Sequence, residues 1–398
     1  TVRQQGERVR VTAQLVDAQA QGQVWADTYE GDLDDIFAVQ SEIAEQIAAA
    51  LQVELSPELK AHIEARPTEN LTAYNFYLEG QDRFARFNQE ANRDAIELFR
   101  RALKLDPEFS LARAWLASAH THQVLVYAAP ASVLDTAIVE ANRALAADPG
   151  LGEAHTALAE AYTGKGWIPR AFDEARAAVR LNPNDDRAIS TLGYVYLLTG
   201  RHDETYLQFR KALALDPLSG SNYWSIGFLY LSLSDVEMAE QWIARGLEIE
   251  EDDTLAHLLL FLTHLAQGRI EDAAAVSRTM IALSPDDPKS HLALGLIVLI
   301  GGDPAGARPH FETAYRLAPE VFFGDFRFAT HLGGLLWYLG ERSEAERLFA
   351  ESLALDEASL EAGDQSHRPL ADMARVHALQ GRTDEALRWL RRAMAVGY

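Results

Sequence analysis

The chain has no cysteine among its 398 residues. That removes disulfides, thiolate zinc sites and cysteine nucleophiles together, and leaves both reducing and oxidising compartments open. Long hydrophobic runs are also missing. The most apolar stretches, Tyr223 to Ser234, Leu255 to Ala266 and His291 to Ile300, fall short of the about 20 residues that span a bilayer. Cations are scarce, with 36 Lys and Arg against 59 carboxylates and a formal charge of -23. Without a clustered basic patch to neutralise phosphates, nucleic acid is not an expected partner through this region. The acidity reads first as solubility. No GxxxxGK[ST] or GxSxG segment occurs, and no glycine-rich loop follows a strand, so phosphate-loop and serine-hydrolase chemistry have no carrier.

Metal chemistry finds no better footing. Of the 12 histidines the closest pair is His120 and His122, and side chains at i and i+2 of a helix diverge. His257 and His264 sit at ordinary helix-packing offsets. The run Glu248 to Asp253 lacks the ligand alternation and central glycine of a calcium loop and reads as a solvated turn. No catalytic residue, cofactor or metal site is expected. The composition is otherwise that of a folded protein with no low-complexity tract.

What the chain does contain is a pulse. Proline closes similar phrases at Pro107, Pro149, Pro183, Pro217, Pro285 and Pro319, and the step is 34 residues from Pro149 to Pro183, again to Pro217, and from Pro285 to Pro319. The one wide gap is twice that, with Glu251 at its middle. Within most units a small residue lies twelve positions before the marker. A glycine (Gly166, Gly200, Gly268, Gly302, Gly340) stops a first helix in the left-handed conformation. Asp203 and Asp303 stand where they would cap the next helix, with Pro304 at a first helical position. Proline then ends the second helix. Gly193, Gly227, Gly295 and Gly333 on first helices, with Ala212 and Ala314 on second helices, allow close approach. No unit buries its apolar face alone, so the units must stack.

These residues resemble tetratricopeptide repeats. Leu192, Gly193, Tyr196, Gly200, Phe209, Ala212 and Pro217 stand at the family's offsets, with Thr205 in place of the usual alanine. The resemblance covers over four-fifths of the chain. It implies a mainly α fold, a right-handed α-solenoid of about nine helix-turn-helix repeats over residues 67–398. Two departures interrupt the register: a longer inter-helix loop around Val124 to Ser132, and four extra residues around Glu320 to Phe326. The ninth unit is also long and lacks a visible cap.

Residues 1–66 differ. Val9 to Leu15 alternates with period two, a turn follows, and QVWADTYE continues as a second strand. Ile36, Val39, Ile43, Ile47 and Leu51 then form one helix face, with Asp34 or Asp35 near its start. Two or three strands and one helix make an incomplete domain. The run resembles the end of a TolB-like (FlgO-like) domain, which precedes such arrays in bacterial signalling proteins. The resemblance implies a small partial α/β module, with the rest of that domain and an output module upstream of Thr1. The compartment, cytoplasmic or periplasmic, would depend on that upstream region.

By analogy with the repeat family, four positions of each first helix face the concave side. They are Arg187, Ser190, Tyr194 and Leu197 in the fourth unit, and Ser221, Trp224, Phe228 and Leu231 in the fifth. The sixth contributes Leu255, Leu258, Leu262 and Leu265, the seventh Lys289, Leu292, Leu296 and Leu299, and the eighth ends on Trp337. Polarity falls along this series. The expectation is a non-catalytic interaction and sensing region that binds an amphipathic helix or apolar peptide in an apolar groove. The alternatives are a self-association module forming a homo-oligomer, or a sensor of a small apolar ligand in the solenoid cavity. A groove filled by the chain's own elements would make the same residues core.

Overall fold

The computed structural model describes residues 2–5, 8–17, 22–32, 36–51 and 66–397. The chain divides into two compact units, Thr1–Asn75 and Phe76–Tyr398. In the first, β1 (Val2–Gln5), β2 (Arg8–Asp17) and β3 (Gly22–Asp32) form an antiparallel sheet in the order β1-β2-β3. Val11 faces Tyr29 and Leu15 faces Trp25, and the register shifts between Leu15 and Val16. The helix α1 (Ile36–Ala50) packs on β2 and β3. Its Val39, Ile43 and Ile47 are half-buried. Leu51, expected on the same stripe, is 53% exposed because the helix ends one residue earlier. Asp34, Asp35 and most of the strand-connecting turn lie outside the described residues.

From Leu71 onward the chain is a succession of antiparallel helix pairs, nine of them among the described residues. They are α2 (Leu71–Phe84) with α3 (Gln89–Leu105), α4 (Ser110–Leu125) with α5 (Val133–Ala147), and α6 (Gly152–Gly164) with α7 (Ile168–Leu181). Next come α8 (Asp186–Leu198) with α9 (His202–Leu215), α10 (Gly220–Ser232) with α11 (Val236–Ile249), and α12 (Thr254–Ala266) with α13 (Ile270–Leu283). The last are α14 (Pro288–Ile300) with α15 (Pro304–Leu317), α16 (Phe328–Leu339) with the longer α17 (Arg342–Glu361), and α18 (Arg368–Leu379) with α19 (Thr383–Ala395). The four extra residues before α16 form a short hairpin, β4 (Phe322–Phe323) and β5 (Phe326–Arg327).

Local chemistry sets these boundaries. Gly166, Gly200, Gly268, Gly302 and Gly340 all have positive φ, as a left-handed helix stop requires. Asp185, Asp235, Asp253, Asp287 and Asp303 cap the helices that follow them by accepting backbone N–H bonds. Asp203 does not: α9 starts at His202 after Arg201, and Asp203 sits inside its first turn, where a carboxylate still favours the helix dipole. Within pairs, a missing side chain on the first helix receives a ring from the second. A Cβ on Gly193 would lie 2.7 Å from Phe209, one on Gly295 2.7 Å from Phe311, and one on Gly333 2.7 Å from Phe349. In the fifth pair Ile243 replaces the ring against Gly227, at 2.6 Å.

Successive turns of this superhelix touch one another. The Thr254 hydroxyl donates to the Phe87 carbonyl at 3.3 Å, joining the first pair to the sixth. Lys289 Nζ donates to the Val126 carbonyl at 2.7 Å, joining the second pair to the seventh. The Gln365 N–H donates to the Lys165 carbonyl at 2.9 Å, and Trp167 Nε1 donates to the Gly363 carbonyl at 2.8 Å, joining the third pair to the α17–α18 link. The loop after α4 is drawn inward, and Ala128, held at φ 60, enters the cluster around Phe261, Leu292, Phe311 and Phe328.

The C-terminal pairs are tied by a buried polar network. Arg327, 2% exposed, donates through Nε to Asp356 at 2.7 Å and through Nη2 to Ser359 at 2.8 Å, while its backbone N–H reaches Asp372 at 3.2 Å. Burial, and then the Asp372 charge, push the Asp356 carboxyl up to about 9. It therefore carries a proton at neutral pH, and one guanidinium is not asked to balance two carboxylates.

The closing contact at Gly166 has a matched control. Gly166 and Gly200 share nearly the same φ, 71 and 72, but a Cβ on Gly166 would sit 2.3 Å from Ser366 N, whereas nothing lies within 4 Å of one on Gly200. Gly200→Ala should cost about 1 kcal/mol, the left-handed penalty alone. Gly166→Ala should cost about 2 to 4 kcal/mol, adding an unrelievable backbone overlap. Denaturant unfolding of the two variants measures the difference, and equal losses would mean that this contact carries no stability.

Candidate functional site

The wound superhelix forms a half-open cavity of about 770 Å³ on its concave side. The walls come largely from first helices. Arg187, Ser190 and Tyr194 of α8, Ser221, Trp224 and Phe228 of α10, Leu255, Leu258 and Leu262 of α12, and Lys289 of α14 all line it. The fourth position of each helix turns away. Leu197 is buried against Phe209 and Ile226, and Leu231 packs beside Ile243 and Leu259. Leu265, Leu296, Leu299 and Trp337 rest against the large C-terminal cluster, and Leu292 is fully buried in it. Trp337 also lies 5.9 Å from the Phe349 ring, with the Arg342 guanidinium 3.6 Å over its face.

Several wall residues escape the four-position rule. Phe84, Phe87, Trp115 and His122 come from the first two pairs, Val126 from the loop after α4, Phe322 and Phe323 from β4, and Arg368 from the start of α18. The sequence does carry a signal for two of these sources. The loop around Val124 to Ser132 and the insertion around Glu320 to Phe326 are the places where the 34-residue register breaks. Both extra segments fold onto the cavity.

The apolar walls are ordered by ring contacts. Tyr194 and Phe228 stack at 6.0 Å, Phe87 meets Trp224 edge-on at 5.8 Å, and Phe84 lies 4.5 Å from His122. Burial pulls the His122 imidazole down to about 4, so the ring is neutral. Arg187 pairs with Glu160 through Nε at 3.1 Å and Nη2 at 3.0 Å, and Nη2 also donates to Ser118. Its guanidinium lies 4.5 Å over Trp115. Burial raises the Glu160 carboxyl, but the Arg187 charge and hydrogen bonds outweigh it and leave Glu160 below the ordinary value. This pair is satisfied within the wall.

Asp253 departs from the expectation of a solvated turn at Glu248 to Asp253, while Glu248, Glu251 and Asp252 are exposed as expected. Asp253 itself is 1% exposed, accepts from the Leu255 and Ala256 N–H groups at 2.8 and 2.9 Å, and accepts from Trp224 Nε1 at 2.8 Å. One carboxyl thus caps α12 and fixes the indole on the cavity wall. Lys289 is a further perturbed group: burial pulls its amine down to about 8, opposed by Asp287 and assisted by Arg368. Among the described residues no group of three or more His, Asp or Glu side chains is placed to hold a metal ion, and no helix is long and apolar enough to cross a membrane.

The helical pairs, their left-handed glycine stops and the Gly–Phe contacts define a repeat protein whose stacked units share one concave site. Models described as "Tetratricopeptide repeat" match residues 325–397, and 85–150 with 258–321. The chain is a tetratricopeptide-repeat protein. A protein of Rhizobium meliloti (strain 1021) named "Putative adenylate cyclase 3" is 33% identical over 116 residues, which cover 29% of this chain and 20% of that protein. The chain thus spans only a fifth of that relative's length. Among solved structures, a monomeric mutant of IFIT1 with m7Gppp-AAAA has a TM-score of 0.53 at 15% identity, over 91% of this chain and 88% of that one. Yeast Tom70 has a TM-score of 0.52 at 15% identity, over 78% and 65%. These two likenesses establish the fold.

Asp253 yields a pH prediction. Burial, outweighing its hydrogen bonds, raises its carboxyl to about 7, so the native state keeps a proton that the unfolded chain releases near the ordinary carboxyl value. The stabilisation is complete below that value and is lost as pH rises through about 7. Asp253→Asn preserves the cap and cannot titrate. Tryptophan emission of the native protein should show a transition near pH 7 that this variant lacks. The thermal midpoint of the variant should decline less from pH 5 to 8, and matching curves would exclude the assignment.

Proposed function

We propose that the chain is the non-catalytic recognition and sensing region of a bacterial signalling protein. Residues 67–398 are its repeats and take an apolar guest into the concave cavity. Residues 1–66 are the end of a TolB-like domain that relays occupancy to an output module. The observation that carries this is the cavity itself: about 770 Å³, walled by Trp224, Phe228, Leu258 and Leu262, and built jointly by repeats far apart in sequence. A guest contacting all of them alters how successive turns of the superhelix fit together, which is what a sensor needs.

Tetratricopeptide repeats are generically protein-interaction scaffolds, which favours an apolar peptide or protein segment as the guest. The concave positions offer no donor row for a row of acidic side chains, and their aromatic anchors suit apolar residues. The local similarity to a protein named as an adenylate cyclase supports a nucleotide cyclase as the output of the whole protein.

Leu262→Trp adds an indole's volume to the cavity without adding charge, and Leu262 is only half-buried, so the fold should survive. Expressed in the full-length protein, it should change cellular cyclic AMP at least severalfold while the circular dichroism of the purified chain stays native. Unchanged cyclic AMP with a native fold would remove the signalling reading.

A further inference from the structure

The polar groups left over in the cavity point to the chemistry of its guest. Three of them lie on its wall. Lys289 Nζ spends one of its three donors on the Val126 carbonyl. Arg368 stands at the start of α18 on the cavity wall. Tyr194 brings a hydroxyl from α8. Among the described residues neither cation makes an ion pair, and the Tyr194 hydroxyl makes no hydrogen bond. The charge of Arg368 acts on Lys289 and Tyr194, and also on Asp325 and Asp364, so these groups share one region. By contrast, the Arg187 charge is already spent on Glu160.

Lys289 is half-buried and Arg368 exposed, and among the described residues no carboxylate ion-pairs with either. Asp325, which pairs with His367 at 2.9 Å, and Asp364 act on Arg368 only at longer range. Asp364 and Glu320 share the wall, so a guest with one negative charge fits better than one with two. The rest of the cavity is aromatic and aliphatic. The cavity volume falls inside the about 300 to 1,000 Å³ range of pockets that hold a small molecule.

We propose that the cavity binds a small organic monoanion with an apolar body, its head received by Lys289, Arg368 and the Tyr194 hydroxyl and its body lying on Trp224, Phe228 and Leu262. This rests on the cavity being the recognition site and changes the guest from a peptide to an amphiphile. The carboxylate of a medium-chain acid and the sulfonate of an aryl amphiphile share the required chemistry.

The test uses the purified chain with two dyes of similar shape, anilinonaphthalene sulfonate and the uncharged N-phenylnaphthylamine. The sulfonate should bind saturably at one site and quench tryptophan emission. Lys289→Met and Arg368→Gln should each weaken it by about tenfold, the loss of one charge-assisted contact, and leave the uncharged dye within about twofold. Leu262→Trp should weaken both dyes. Decanoate should displace the sulfonate at least about tenfold more effectively than decanol. Arg368 is exposed, so its variant carries the test alone if Lys289→Met lowers stability. Unchanged sulfonate affinity in a natively folded Arg368→Gln protein, or equal displacement by decanol, overturns the proposal. Charge-dependent dye binding with unaltered cyclic AMP retires the signalling reading but keeps the site; altered cyclic AMP with charge-independent dye binding does the reverse.

Discussion

The structure of the repeat unit depends on contact between successive turns of its superhelix. Three sets of bonds make it: Phe87 with Thr254, Val126 with Lys289, and Lys165 and Trp167 with Gln365 and Gly363. Stacked repeats alone bury only the faces between neighbours and would leave the concave surface in water. Once turns touch, that surface becomes an interior. An interior of such apolar side chains is stable, whereas an open trough of the same residues would invite association.

The same closure explains the unusual electrostatics. Lys289, Asp253, Glu160 and His122 lie on helices that carry ordinary polar residues in their sequence positions, yet burial displaces each of them from its ordinary titration range or sets it against a partner. The Arg187–Glu160 pair and the Asp253–Trp224 bond satisfy charges and donors that enclosure would otherwise strand. Lys289 stands apart: among the described residues its ammonium bonds only to a neutral carbonyl, with Asp287 acting on it at longer range.

Much of this was legible one repeat at a time. Gly200 and Pro217 mark helix ends because their backbone constraints are local, and Gly193 marks a close approach because Phe209 lies in the same unit. Trp224, Phe228, Leu258 and Leu262 were readable as concave residues because helical periodicity assigns a face. Leu292, Leu197 and Leu231 satisfy the same periodicity but end in packed clusters. Leu197 and Leu231 meet Ile226 and Leu259 of the following pairs, so the outcome is set by packing between repeats rather than within one. Asp253 escaped for the same reason: a carboxylate in an acidic turn looks solvated until Trp224 of the preceding pair is known to cover it.

By itself, the sequence determined the units: their length, their helix boundaries, their internal packing and the apolar character of their first helices. All of these follow from backbone geometry and side-chain spacing within about 34 residues. Only the tertiary structure decided that the superhelix winds tightly enough for the first repeat to meet the sixth, and that the two register-breaking segments, near Val126 and Phe323, fold inward as walls. Small changes in the angle between repeats accumulate over many units. The cavity is the sum of those angles, and no single repeat encodes it.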